Sequence, residues 1–354
     1  MNVLPARTER CDSLVSMPRR LDAHDEHHRH GAVAEAAAAL RRGELVAFPT
    51  ETVYGLGALA DDEVAVARLF AAKGRPTDHP LIVHVARAAQ LERWTAVVGD
   101  VALRLADAFW PGPLTMVFDA RDSVPRSVTG GQPSIALRVP SHPVARALLE
   151  AVGEGLAAPS ANRFGRVSPT TADHVLDEFA LDDPALVTLV LDAGPCTVGL
   201  ESTIVDVRGA EPRLLRPGGV PLADLERVLG RPLREPSTGG DRPRVPGALT
   251  RHYAPAIPIR TVPAEALAGR PDDVIVVHRA GVPASGARTI ALPSDPLGYA
   301  RELYAAMRAA ERSGARELWI ASVPDEPAWA AVRDRLRRAT GSPDGPGETT
   351  RGRT

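Results

Sequence analysis

Two α/β units of unequal size are the fold class this sequence predicts. Three observations carry that reading. The chain has 354 residues, more than the roughly 250–300 at which a single core stops growing. Short apolar runs of strand character alternate with segments of helical periodicity. A stretch rich in Pro, Gly and Arg, REPSTGGDRPRVPGALTRHYAPAIP, divides that pattern near residues 231–258 and shows neither period.

The elements follow in order. Residues 1–30 are polar, with His24, His27, His28 and His30 in the run DAHDEHHRH, and read as a disordered tail because nothing nearby closes a metal site. An alanine-rich helix is expected from Ala32 to Arg42, stopped by Gly43, with ELVAFP as a buried strand behind it. Further strands are expected at 81–85, 114–118, 134–139, 186–193 and 202–207, where β-branched and apolar residues cluster. Helices are expected at 62–73, 99–109, 142–152, 171–179 and 221–229, each with apolar residues three and four apart. Beyond the linker, strands at 273–278 and 317–322 and helices near 296–313 and 327–339 form the smaller unit over 259–340. Residues 341–354 read as a frayed tail.

Composition narrows the function. With 42 basic and 44 acidic residues the formal charge is -2, so no global field draws the chain to nucleic acid or to an anionic membrane. Cys11 and Cys196 are the only cysteines, too few for a disulfide framework or a cysteine metal site. No apolar run approaches the ~18 residues of a membrane helix and none resembles a secretory signal, which makes the cytoplasm the expected compartment. GxxxxGK[ST], HExxH and GxSxG are absent, leaving P-loop, zinc-hydrolase and serine-hydrolase chemistry without a handle.

Chemistry-bearing residues cluster in five segments. FPTETVYGLGALA ends a strand in a loop with Thr50, Glu51, Thr52 and Tyr54, and loops at strand ends are where open α/β sheets bind ligands. Its GLGALA run matches a dinucleotide fingerprint only weakly, since the glycines lie seven residues past the strand and no helix start follows. KGRPTDHPLIVH holds Lys73 and Arg75 at a helix end; the pair either complements the helix terminus or converges on a polyphosphate. His84 closes an apolar strand, where a satisfied core histidine is the ordinary outcome. In APSANRFGRVSPTTA, capping accounts for Ser168 or Thr170 but not for Ser160 and Asn162, which suit a nucleotide phosphate or base. Arg138 sits in the apolar strand SIALRVP and needs an anion or carbonyl if buried; Ser202, Thr203 and Arg216 fall in the segment from GLESTIVDV to LLRPGG.

PTETVYGLG, KGRPTDHPLIVH, FWPGPLT, ALRVP, APSANRFGRVSPT, GPCTVGLESTIVD and LLRPGG occur in the order of the YrdC-like family, over about residues 32–230. VPGALTRHYAP and the small C-terminal unit resemble the long form of threonylcarbamoyl-AMP synthases. The resemblance implies a twisted, open mixed sheet around a basic cavity, with a Rossmann-like second domain. It implies ATP with Mg²⁺, L-threonine and bicarbonate as ligands, and threonylcarbamoyl-AMP for tRNA modification as product, with contact to tRNA or a transferase complex a further expectation. Carried over residue by residue, Lys73 and Arg75 become catalytic and ATP-binding, with Thr77, Ser134, Ser160, Asn162, Ser168, Arg216 and Tyr253 on ATP and Thr50, His84, Arg138 and Ser202 on threonine. No protein metal ligand is implied, Mg²⁺ being held mainly through phosphates. His252 and Tyr253 become lid residues, and His79 departs from the asparagine common in the family.

The implied step needs no protein nucleophile. A carbamate oxygen attacks the α-phosphorus of ATP and pyrophosphate leaves, so positioning and charge neutralisation are what the protein contributes. Two rivals are a non-catalytic RNA-binding module, whose binding would fall steeply with salt, and a carbamoyl-AMP-forming maturation factor. Such factors are much longer and carry zinc-finger regions. Lys73→Ala is expected to lose adenylylation with the fold retained, on the premise that an exposed cavity lysine carries little packing.

Overall fold

In the computed structural model, residues 17–180, 186–234, 242–284 and 288–341 are described. The chain enters the fold earlier than the tail reading over 1–30 places it. β1 (Arg19–Asp22) pairs in parallel with β8 (Val187–Asp192), and α1 (Glu26–Arg41) starts six residues ahead of the expected Ala32. Asp25 caps that helix by accepting from the His28 amide. RRLD carries no apolar alternation because an edge strand needs none, and a polar first turn hides a helix start from periodicity. Residues 1–16 and 342–354, the remainder of both tail readings, lie outside the described residues.

β2 (Leu45–Phe48) alternates its side chains between two cores: Leu45 and Ala47 join one, Val46 and Phe48 the other. Period-two alternation with both faces covered is the mark of a central strand. β3 (Gly55–Leu59) returns antiparallel beside it. The GLGALA run is therefore strand and not a phosphate turn, which overturns the fingerprint. Gly57 is needed there because a Cβ would stand 2.9 Å from the Phe48 ring.

The chain continues through α2 (Glu63–Lys73), β4 (Ile82–His84), α3 (Asp100–Phe109), β5 (Leu114–Asp119), α4 (Arg126–Thr129), β6 (Ser134–Arg138), α5 (Pro143–Val152), β7 (Leu156–Ala157) and α6 (Ala172–Phe179) to β8. β9 (Thr203–Asp206), β10 (Arg213–Arg216) and α7 (Leu222–Leu229) complete the larger unit. Its described strands form one ten-stranded mixed sheet, β1-β8-β2-β3-β7-β4-β6-β5-β9-β10. α1 and α5 pack together on one face, and α2, α3 and α7 contribute to the core on the other.

The smaller unit is a parallel sheet, β11-β14-β12-β13, from β11 (Ile259–Val262), β12 (Val274–Arg279), β13 (Thr289–Leu292) and β14 (Glu317–Ala321). α8 (Pro296–Arg312) and α9 (Ala330–Thr340) complete it, and its core is separate but reaches Val53, Val167 and Leu200 of the larger unit. A Cβ on Gly199 would meet the Arg301 backbone at 2.4 Å, so the larger unit lies directly against α8.

Candidate active site

The site forms at the sheet end where β4 and β6 finish and β5 and β9 begin. That topology gathers His84 and Arg138 from strand ends, Thr50 from the β2–β3 loop, Ser160 from beyond β7, Ser202 ahead of β9 and Arg216 from the end of β10 around one cavity. All four residues assigned to threonine line it, with Arg75, Ser160, Arg216 and Tyr253 from the ATP set and His252 from the lid set.

The other assigned residues stand elsewhere. Lys73 is 2% exposed and turns its ammonium to the carbonyls of Ser160, at 2.6 Å, and Asn162. Burial, with Arg75 adding repulsion, pushes its pKa well below the lysine range. Lys73 thus pins the Ser-x-Asn loop instead of presenting charge to a phosphate, and the premise of an exposed lysine fails with it. Thr77 is exposed in the turn after α2. Ser134 opens β6, about 13 Å of strand from Arg138. Asn162 donates its amide to the Arg163 and Arg166 carbonyls. Ser168 donates to Glu201 at 2.6 Å, and the cap of α6 is Thr171, not Ser168 or Thr170.

Among the residues assigned to threonine, the Thr50 hydroxyl donates to the Val53 carbonyl at 2.6 Å and accepts from the Thr52 and Val53 amides, which fixes the tip of the TET loop. Arg138 donates to Glu51 at 2.6 Å, to the Thr52 hydroxyl at 2.9 Å and to the Gly112 carbonyl at 3.2 Å. Three of the five guanidinium N–H groups are thereby engaged. The carboxylate grip expected of Arg138 is narrowed to the other two. His84 is buried, its Nδ1 has no partner, and burial together with Arg138 lowers its pKa to about 3. It is a neutral imidazole open to a substrate hydrogen bond.

Among the residues assigned to ATP, Arg75 makes one hydrogen bond, 2.8 Å to the Pro80 carbonyl; its buried Nε has no partner, and the guanidinium lies 5.6 Å from the Phe164 ring centre. Arg216 donates to the Ser202 carbonyl at 2.8 Å and to the Pro246 carbonyl at 2.8 Å. Ser202 also shares a 2.7 Å hydrogen bond with Thr115. Gly218 makes this closeness possible, because a Cβ there would meet the Glu201 carbonyl oxygen at 2.3 Å.

The linker covers the cavity. Val245 packs with Ile82, Val117, Ala136, Ile204 and Leu215, and Pro246, Gly247, His252 and Tyr253 line the cavity itself. Its volume is about 50 Å³, against roughly 300–1,000 Å³ for a small-molecule site. A ligand the size of a nucleotide would fit only with the linker displaced. Tyr253 has φ 62, a strained backbone for a bulky residue. A file of rings runs His79, Phe164, His252, Tyr253, Tyr304, with neighbouring centres 4.2–5.8 Å apart. His79 thus meets Phe164 at right angles, ring to ring.

Glu201 lies within GPCTVGLESTIVD, where its neighbours in sequence signal no role for it. Its carboxylate lines the cavity and accepts from Ser168, from Tyr304 at 3.0 Å and from Arg335 at 2.7 Å. The last two partners are 103 and 134 residues away, which no local pattern reveals. Among the described residues no cluster of His, Cys, Asp or Glu suits a metal ion.

Burial holds His84 and His252 to pKa values of about 3 and His174 to about 4. Each stays neutral in the native state and takes up a proton on unfolding below its ordinary 6.5. Stability is therefore full above about pH 6.5 and falls as pH drops toward the native values, by about 1.4 kcal/mol per pH unit for each histidine. Urea unfolding at pH 7.5, 6 and 5 is expected to show this slope, and His84→Gln to remove one histidine's share.

Residues 38–218 match the family described as telomere recombination, Sua5–YciO–YrdC, and residues 220–341 match the threonylcarbamoyl-AMP synthase C-terminal domain. Threonylcarbamoyl-AMP synthase of Pyrococcus abyssi is 40% identical over 86% of this chain and 93% of its own length. The Bacillus subtilis protein of that name is 37% identical over 87% of this chain and 93% of its own. The crystal structure of P. abyssi Sua5 in complex with L-threonine superposes with a TM-score of 0.81 at 36% identity, covering 92% of this chain and 98% of that one. Both halves of the chain are matched in sequence and in fold, and the chain belongs to the threonylcarbamoyl-AMP synthase family in its long form, with the additional C-terminal domain.

Proposed function

We infer that this chain, an ATP-using enzyme of that family, condenses L-threonine, bicarbonate and ATP to threonylcarbamoyl-AMP and pyrophosphate in the cavity described. The observation that carries the reading is the convergence of Thr50, His84, Arg138 and Ser202 beside Arg75, Ser160, Arg216 and Tyr253 on one cavity. The amine of threonine adds to CO₂ derived from bicarbonate and loses a proton, and a carbamate oxygen then displaces pyrophosphate from the α-phosphorus. Arg138 and Ser202 hold the amino acid, and neutral His84 accepts a hydrogen bond from it.

Arg75 and Arg216 take the phosphates once the linker carbonyl of Pro246 has left Arg216. Aligned, desolvated reactants with preplaced cations supply the acceleration. ATP enters as its Mg²⁺ complex. Glu201, which lines the cavity, and Glu51 behind it are committed to Arg335 and Arg138, so the cation would be held through the phosphates and would supply neutralisation of their charge. Closure of residues 242–258 keeps water from the carbamate and the mixed anhydride, both of which hydrolyse.

The product is consumed by a transferase acting on tRNA, in the cytoplasm where these substrates meet. No described helix is long and apolar enough to cross a membrane. Pyrophosphate release from ATP and bicarbonate is expected to depend on L-threonine. Release at the same rate without the amino acid would remove the synthase reading.

A further inference from the structure

Arg335, on α9 of the smaller unit, is fully buried and reaches across the domain boundary. Its Nε donates to Glu201 at 2.7 Å, its Nη1 to the Pro217 carbonyl at 3.0 Å and to Asp334 at 2.8 Å, and its guanidinium lies 5.2 Å from the Tyr253 ring centre. Glu201 precedes Ser202, and Pro217 follows Arg216. A residue of the second domain thus touches the immediate neighbours of two cavity residues and the ring of a third.

The charges explain why that reach matters. Glu201 is a buried carboxylate with two cations nearby, Arg335 and Arg216, both of which favour its ionised form. Its hydrogen bonds go to Ser168, Tyr304 and Arg335, while those of Arg216 go to Ser202 and Pro246. A buried carboxylate left without a paired cation is strongly unfavourable. With Arg335 gone, Arg216 is the cation at hand, and a guanidinium drawn to Glu201 no longer faces a phosphate.

We propose that Arg335 is a positioning residue for ATP: by neutralising Glu201 from the second domain it leaves Arg216 free to bind phosphate, which makes domain docking part of the nucleotide site. The proposal rests on the synthase reading, which fails separately if the unaltered protein shows no threonine-dependent pyrophosphate release. Given that activity, Arg335→Met is expected to raise the KM for ATP about tenfold or more with the KM for threonine changed less than about threefold, a ground-state binding loss. Arg335→Met combined with Glu201→Gln, which removes the charge that captures Arg216, is expected to return the ATP KM to within about threefold of the parent.

A double variant no better than the single one, or a single variant that shifts neither KM or both equally, would overturn the proposal. Should Arg335→Met fold poorly, Arg335→Lys keeps the charge but not the fork. Its ATP KM is expected to stay within about threefold of the parent while its Tm falls. An ATP KM that rose about tenfold in a folded Arg335→Lys protein would overturn it as well.

Discussion

Arg138→Ala is expected to lower stability by about 3–5 kcal/mol, a large share of the roughly 5–15 kcal/mol that holds a domain together. The reason is Glu51. Arg138 and Glu51 are 4% and 7% exposed and 2.6 Å apart, so deleting the guanidinium strands a carboxylate in the interior. It also releases the Thr52 hydroxyl and the Gly112 carbonyl, which tie the TET loop to the turn ahead of β5. Urea unfolding is the direct measure. Pairing the change with Glu51→Gln is expected to recover part of the loss, because the stranded charge is then gone. In the recovered protein, threonine affinity by calorimetry is expected to fall by roughly 10–150-fold, the range for hydrogen bonds to a charged group. Unchanged affinity would take Arg138 out of the amino-acid site and leave it a structural role.

Arg75→Ala is expected to behave in the opposite way. Arg75 makes one hydrogen bond and keeps a buried Nε without a partner, so little of the fold depends on it. Burial lowers its pKa to about 10, which leaves it charged at neutral pH. A buried cation so poorly satisfied is suited to an anion that arrives. Pyrophosphate-release kcat/KM for ATP is expected to drop by about 10²–10³, with Tm changed by only a few degrees. A drop smaller than about threefold would mean that the phosphates bind elsewhere.

The contrast between the two arginines marks how far the sequence was legible. Apolar runs such as LVAF and LTMVF announced their strands, and helices with spaced apolar residues ended within a residue or two of expectation. β3 went unrecognised because GLGAL reads as a turn; its glycines answer instead to the Phe48 ring beside them. β1, at a polar edge, and β10 and β11, four residues each, offer too little pattern to find.

In the site, His84, Arg138 and Arg216 from strand ends meet Thr50, Ser160 and Ser202 from loops around one cavity, since strand order decides which ends meet. What stayed hidden was direction. Nothing local distinguishes Lys73, folded inward onto carbonyls 87 and 89 residues on, from Arg75 two positions later, which faces the cavity. Nor does any local signal tie Glu201 to a guanidinium supplied by another domain.

The turn at Gly218 sets a final quantity. Because main chain there rests on main chain at Glu201, Ser202 and Thr203, the backbone that carries Ser202 and the backbone that follows Arg216 are held one peptide thickness apart. Any residue other than glycine at 218 would pry those two stretches of backbone apart, and with them the supports on which Ser202 and Arg216 stand.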